Sequence, residues 1–404
     1  MTKRFLISRD NRFFIAQITL LLALLTSLSP FATDTYIPAL PIMAKFFDQP
    51  ISMLEVTLTL YFLGVALGQL FGGPFSDSFG RKKVALVGLI LFSLSSLLAV
   101  FVTDVYFLWI LRFVQAIGGG AASVVNMAFV RDWFEGKEVA RLSSLIGMIM
   151  MMAPLIAPVI GTFLLLHFGW QSIFIFMFLM SLAVIILFGF LMPESREQSM
   201  ITNKISLKRI RVSYGTVFSS PKAVMLVLCS SFAVSGMFTF LTGASFLYID
   251  FFEVKVNNFP LFFGANIALN VLLTLLNYRL VKTINPSKLL HFGLILQLIS
   301  GIVLFFAVRQ ATPNLWLVFS SIVVFVGSLG LIFANIVALI LNQFHEISGS
   351  ANAVIGVVRF AFSGAIGSLL AVFHSGDLVP LGTIMFGCSA LAYLFFTLSR
   401  KLNV

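Results

Sequence analysis

Residues 68–83 read Gly68-Gln-Leu-Phe-Gly-Gly73-Pro-Phe-Ser-Asp77-Ser-Phe-Gly80-Arg81-Lys82-Lys83. One long apolar run leads into this stretch and another leads out of it. The turn between them is too short to be a domain, yet it holds an acid, a glycine and three bases within seven residues. Gly80 suits a turn that needs φ > 0. Arg81, Lys82 and Lys83 suit the edge of an anionic membrane. Taken alone, such a basic turn between two spans can be plain topology signalling, so the rest of the chain has to decide what else it does.

Composition settles the class. Of 404 residues, 59% are hydrophobic and only 10% are charged, with a mean hydropathy of +1.05. No soluble domain of this length can hide so much apolar surface. Runs long enough to cross a bilayer, about 20 residues each, recur twelve times. They fall near 13–39, 51–74, 84–103, 105–130, 143–166, 170–191, 222–247, 258–279, 289–308, 314–341, 350–373 and 378–399. The ten-residue alternating segments of a membrane β-barrel are absent. The chain is therefore read as an all-α membrane protein of twelve transmembrane helices.

The net charge of +11 raises the question of nucleic acid, and its placement answers it. Of 26 Lys and Arg residues, 21 fall in the termini and the connections on the N-terminal side. Three (Lys45, Lys255, Arg309) fall on the other side, and two (Arg112, Arg359) lie within spans. That asymmetry predicts both termini in the cytoplasm, so the basic balance is a topology signal and nucleic-acid binding is rejected. The first span is too long for a signal-peptide core and no small-residue cleavage site follows it. Cys229 and Cys388 sit in separate spans and the four histidines are scattered, so no disulfide, metal site or other cofactor is expected.

Asp34 follows some twenty apolar residues and precedes two prolines, Pro38 and Pro41. An intramembrane carboxylate is costly and is a functional candidate by default. Glu55 falls in Ser52-Met-Leu-Glu55, a capping-box pattern that assigns it to a helix start. Gly64, Gly68 and Gly72 line one face of the second span and invite close packing. The fourth span carries Arg112, Gln115, Gly118 and Asn126, and Arg131-Asp132 closes its inner end. Arg112 lies at the depth of Asp34, which makes Asp34 its expected partner. Pro154, Pro158 and Gly161 mark a hinge in the fifth span, where prolines in a membrane helix are tolerated. The longest polar connection divides the chain into a first half (1–192), a linker (193–221) and a second half (222–404), as in a duplicated transporter. The second half offers Asn266, Asn270, Asn335 and Arg359 as cavity-lining candidates. No G-x-x-x-x-G-K-[ST] loop is present, so ATP does not drive the chain directly.

With these pieces placed, the sequence resembles the major facilitator superfamily over essentially its whole length. The stretch from Gly73 through Asp77 and Gly80 to Arg81-Lys82 resembles the family's loop between spans two and three. Arg112-x-x-Gln115-x-x-Gly118 resembles the fourth-span motif of drug:proton antiporters, and Ala157-Pro158-x-x-Gly161 the fifth-span antiporter motif. In that last one the family usually has glycine where this chain has Ala157 and Thr162. Asp34-Thr-Tyr-Ile-Pro-Ala-Leu-Pro, Arg131-Asp132 and Ala153-Pro-Leu-Ile-Ala-Pro resemble the bicyclomycin-resistance (Bcr/CflA) subfamily, as does the Phe246-Leu-Tyr-Ile stretch. The resemblance implies two six-helix bundles and a monomer of the bacterial inner membrane that exchanges protons for exported small molecules. Asp34, Arg112 and Gln115 are read as the proton-coupling group, Asp34 pairing with Arg112 when deprotonated and Glu55 standing next in line as the protonation site, and Gly73, Asp77, Gly80, Arg81, Lys82 and Arg131 as an inner gate. Asp77 is then expected to cap the start of the eleventh span near Ser348-Gly349-Ser350.

An exporter of an amino acid or another metabolite would share all of this machinery. A membrane enzyme would need converging acids or histidines at one interface, and a channel would be expected to lack paired intramembrane charge and a proline hinge. The sequence carries the features of a transporter.

Overall fold

A computed structural model describes residues 12–134, 137–196, 201, 215–344, 348–373 and 376–402. Twelve helical segments in it are long and apolar enough to cross a membrane. Their apolar side chains point outward as well as inward: Phe190 is 87% exposed and Leu261 72%. Such surface is stable only against lipid.

The first span runs to Phe46, well past the predicted end at 39. It is made of three pieces: α1 (Arg12–Asp34), a 3-10 turn (Ile37–Ala39) and α2 (Leu40–Phe47). Proline lacks an N–H and cannot sit in a helix interior without loss, but it is well placed in a first turn. Pro38 and Pro41 therefore break the helix and at once restart it. The second span, α3 (Ile51–Phe79), begins at Pro50 and continues through Pro74 to the turn at Gly80. Its N-cap is Pro50 and no side chain caps it, so the Ser52–Glu55 capping box is not formed. Glu55 is instead buried, in a small recess with Gly243, Leu370 and Asp377.

The first bundle is completed by α4 (Arg81–Ala99), α5 (Val105–Trp133), α6 (Lys137–Phe168) and α7 (Gln171–Leu191). Glycines set its closest contacts. A Cβ on Gly64 would lie 2.6 Å from the Phe113 carbonyl oxygen, one on Gly120 2.6 Å from that of Val65, and one on Gly88 2.6 Å from that of Gly118. These glycines let α3, α4 and α5 touch backbone to backbone.

The second bundle comprises α8 (Pro221–Ser245), α9 (Phe259–Leu280), α10 (Pro286–Ala307), α11 (Leu315–Gly327), α12 (Leu329–Leu341), α13 (Ser348–Val372) and α14 (Val379–Lys401). Caps written in the sequence start three of them: Ser220, Asn285 and Asn314 each accept a backbone N–H of the first turn. The tenth span is broken between α11 and α12 at Ser328, whose hydroxyl donates to the Phe325 carbonyl. A π-helical turn, Phe246–Phe251, ends the seventh span.

The bundles meet along two seams. In one, α3 lies against α13: a Cβ on Gly364 would be 3.2 Å from the Leu63 nitrogen, and Gly356 approaches the Gln69 side chain. In the other, α6 lies against α9. The Phe62 and Phe238 rings also meet between the bundles, with centroids 4.2 Å apart.

Candidate functional site

The site in the first bundle is built from the break in the first span. A helix leaves its last four carbonyls without intrahelical partners. Here they belong to residues 31–34. The Phe31 carbonyl accepts the Thr35 N–H (3.2 Å) and hydroxyl (2.6 Å), and the Thr33 carbonyl accepts the Tyr36 N–H (3.2 Å). The Ala32 carbonyl accepts the Arg112 guanidinium from α5 at 3.0 Å.

Arg112 is fully buried. A second guanidinium nitrogen donates to Gln115 Oε1 at 2.7 Å, and Gln115 Nε2 in turn donates to Ser96 Oγ at 2.7 Å. The Tyr36 and Tyr61 rings each lie 4.5 Å from the guanidinium carbon. Desolvated cation–ring contacts of this kind are worth about 2 kcal/mol. The tyrosine hydroxyls bond outward, to Thr57 and Ser29.

Asp34 closes α1 and is buried, and the Thr33 hydroxyl donates to its Oδ1 at 2.8 Å. Among the described residues it forms no ion pair with Arg112. The expected pairing is therefore corrected. Equal depth brings the two side chains to the same break, but the break itself takes the cation, through a carbonyl at the negative end of the α1 dipole.

Gly161 of α6 belongs to the same place. A Cβ there would lie 2.7 Å from Thr35 Cα, so only glycine lets α6 reach the broken backbone. The glycine of the fifth-span motif faces the first span, while α6 as a whole also lies against α9 of the eighth. Pro154 and Pro158 lie inside an uninterrupted α6.

At the basic end of the molecule the 68–83 turn is held by the chain leaving α7. Gly80 has φ +99°. Glu194 carboxylate oxygens accept the Arg81 and Lys82 backbone N–H groups at 2.9 and 3.0 Å, capping α4. Lys82 Nζ donates to the Gly189 carbonyl. Asp77 pairs with Arg81 (2.6 Å) and Arg196 (3.3 Å), and Arg81 reaches Asp132 (3.3 Å), which also accepts the Ser195 hydroxyl. Asp77 is engaged by Arg81 and Arg196, and its expected contact with the start of α13 falls on 348–353, whose side chains lie outside the described residues. Arg131 is exposed, and its neighbour Asp132 takes the place in the network. Gly73 makes no close approach, since a Cβ there would meet nothing.

The asparagines are structural ties. Asn126 donates to the Leu22 carbonyl (2.9 Å) and to Thr26 of α1. Asn266 bonds its own helix at the Phe262 carbonyl. Asn270 donates to the Val326 carbonyl freed by the break before α12, and Asn335 donates to Asn277 Oδ1 at 2.6 Å. The amide nitrogens of these four reach backbone or another side chain, while the Asn126 and Asn266 side-chain oxygens are buried without a partner. His345 and His374 lie outside the described residues.

Tyr36, Tyr61 and Glu194 make contacts in these two places that the sequence reading passed over. The signal was present: the chain has 46 phenylalanines and only 7 tyrosines, so a mid-span tyrosine marks a hydroxyl that needs a partner.

Twelve spans in two bundles, with a broken first helix gripping a buried arginine, define a secondary transporter. A sequence profile of the Major Facilitator Superfamily matches residues 22–368, and the chain belongs to that family. It is 34% identical to the bicyclomycin resistance protein homolog of Haemophilus influenzae, over 95% of this chain and 96% of that one. It is 27% identical to the multidrug resistance protein MdtL of Citrobacter koseri, over 95% of each. Among solved structures, a D-xylose-proton symporter superposes with a TM-score of 0.75 at 17% identity, covering 95% of this chain and 97% of that one. The last likeness concerns the fold alone. Twelve apolar helices and bacterial relatives along nearly the whole length make this a multi-pass protein of the inner membrane.

Proposed function

We propose that this protein is a drug exporter, expelling bicyclomycin-like antibiotics and other small molecules in exchange for protons by alternating access. The observation that carries this reading is the 34% identity, sustained across 95% of the chain, to a bicyclomycin resistance protein homolog. The basic end faces the cytoplasm, as the lysine and arginine asymmetry requires. Residues 1–192 and 222–404 are the two moving bodies, joined by 193–221, and the working unit is a monomer.

Asp34 is the proton carrier in this scheme. It is buried at the end of a broken helix, two residues along the chain from the carbonyl that holds Arg112. Burial and neighbouring charge act on a carboxylate in opposite directions, so a small shift of the break alters its hold on a proton. Arg112 cannot release a proton, and Gln115 holds it in place. Asp77, Gly80, Arg81 and Lys82 form the inner gate, with Glu194 as its clamp. Pro154, Pro158 and Gly161 let α6 follow the first span as it moves.

The test is resistance in a drug-sensitive bacterium. Expression of the chain should raise the inhibitory concentration of bicyclomycin, and a proton uncoupler should abolish efflux. Asp34→Asn should remove both effects at normal protein level. Purified protein should release protons on adding drug, and Asp34→Asn should not. If Asp34→Asn exchanges protons for drug normally, the proton site lies elsewhere. An exporter of a metabolite would leave bicyclomycin sensitivity unchanged.

A further inference from the structure

The two arginines inside the spans are in opposite situations. Arg112 is enclosed, with its fork taken by Gln115 and the Ala32 carbonyl. Arg359 sits eleven residues into α13 and five residues, about 7.5 Å, inside the near end of its apolar stretch Val354–Val372. It is largely buried, with part of its side chain accessible. Among the described residues it forms no ion pair and no hydrogen bond. What it touches is aromatic: its guanidinium carbon lies 4.6 Å from the Phe333 centroid and 5.6 Å from that of Phe360.

Ring faces attract a guanidinium but leave its five N–H donors unused. A charge at this depth is costly without an anion or water. Asn335 and Asn270, the other polar candidates of this half, are committed to Asn277 and to Val326. From the fork a row of rings leads toward the other bundle. Phe333 is 43% exposed, Phe360 packs on Phe238 at 5.7 Å, and Phe238 packs on Phe62 of the other bundle at 4.2 Å. An arginine fork matches a carboxylate with two parallel hydrogen bonds, and the rings match an apolar or aromatic body.

We propose that Arg359 is a substrate anchor, and that it gives this transporter a preference for aromatic or apolar molecules carrying a carboxylate. The carboxylate takes the open fork while Phe333, Phe360 and Phe238 hold the body. The proposal rests on the exporter reading and names a substrate class for it.

The probes are 2-naphthoate and its neutral amide, 2-naphthamide, titrated into the purified full-length protein in detergent micelles. The acid should bind at least tenfold more tightly than the amide, a difference of about 1.4 kcal/mol. Arg359→Gln should lose that preference with amide affinity unchanged, and Arg359→Lys, which keeps the charge, should retain part of it. Equal affinities, no binding of the acid, or an intact preference in Arg359→Gln would overturn the assignment. The wild-type and lysine arms stand even if the glutamine variant does not fold. If phosphatidylglycerol added to the micelles abolishes the preference, lipid phosphate is the occupant and the solute assignment falls. Uncoupler-sensitive bicyclomycin efflux without any acid preference would overturn this proposal alone. Absence of proton-linked efflux would overturn the exporter reading, while the binding result would still decide the role of Arg359.

Discussion

Arg112 is held by a backbone carbonyl, a glutamine and two tyrosine rings, and each contact uses a different property of its side chain. A lysine brings the same charge but neither the planar fork nor the stacking face. Arg112→Lys is therefore expected to abolish drug efflux and to lower thermal stability. Charge-assisted hydrogen bonds contribute about 1.5–3 kcal/mol each, so a melting curve on purified protein will register the loss. At Gly161 the limit is space. Alanine would force its Cβ against Thr35, and overpacking of this kind costs about 1–3 kcal/mol. Gly161→Ala should lose transport, while Gly73→Ala, where nothing is close, should keep near wild-type efflux in the same assay. The sequence showed which residues were unusual for a membrane. It paired Asp34 with Arg112 because depth along a helix is legible from residue counting. A carbonyl freed by a helix break has no letter in the sequence.

At the scale of an element, two breaks and one clamp organise the molecule. Pro38 and Pro41 interrupt the first span, and Ser328 marks the interruption of the tenth. The first break was foreshadowed by its prolines; the second has none, and Asn270 from α9 satisfies a carbonyl there. The clamp is Glu194, which accepts two N–H groups at the start of α4 from beyond the end of α7. Capping contacts contribute about 0.5–2 kcal/mol. Glu194→Ala should speed hydrogen exchange at Arg81 and Lys82 and reduce efflux, leaving the rest of the bundle protected. Unchanged exchange there would remove Glu194 from the gate. The clamp escaped the sequence reading because 113 residues separate Glu194 from Arg81.

At the scale of the whole molecule, α3 and α13 form a seam that alternating access must rearrange. Leu63 and Gly364 face each other across it, close enough for a disulfide, which needs Cα atoms within about 7 Å. With both replaced by cysteine, oxidant should form the cross-link and arrest efflux, and reductant should restore it. Cys229 and Cys388 are buried and do not compete. Full transport in the cross-linked protein would mean that the bundles do not part along this seam.

The sequence by itself determined the membrane class, the number of spans and their grouping into two bundles. It also singled out the acids and arginines that a bilayer makes expensive. These follow from hydropathy, helix length and the cost of charge in lipid, which are properties of short stretches. Only the tertiary structure decided the partners. Arg112 went to a backbone carbonyl, Asp77 to Arg81 and Arg196, and Gly161 to the break in the first span. It decided too that the amide nitrogens of four asparagines are taken while Arg359 meets only rings. The physical reason is that a buried polar group takes whichever donor or acceptor packing brings within about 3 Å. Packing depends on where glycines and helix breaks allow backbones to approach, which is a property of the assembled bundles and of no single stretch.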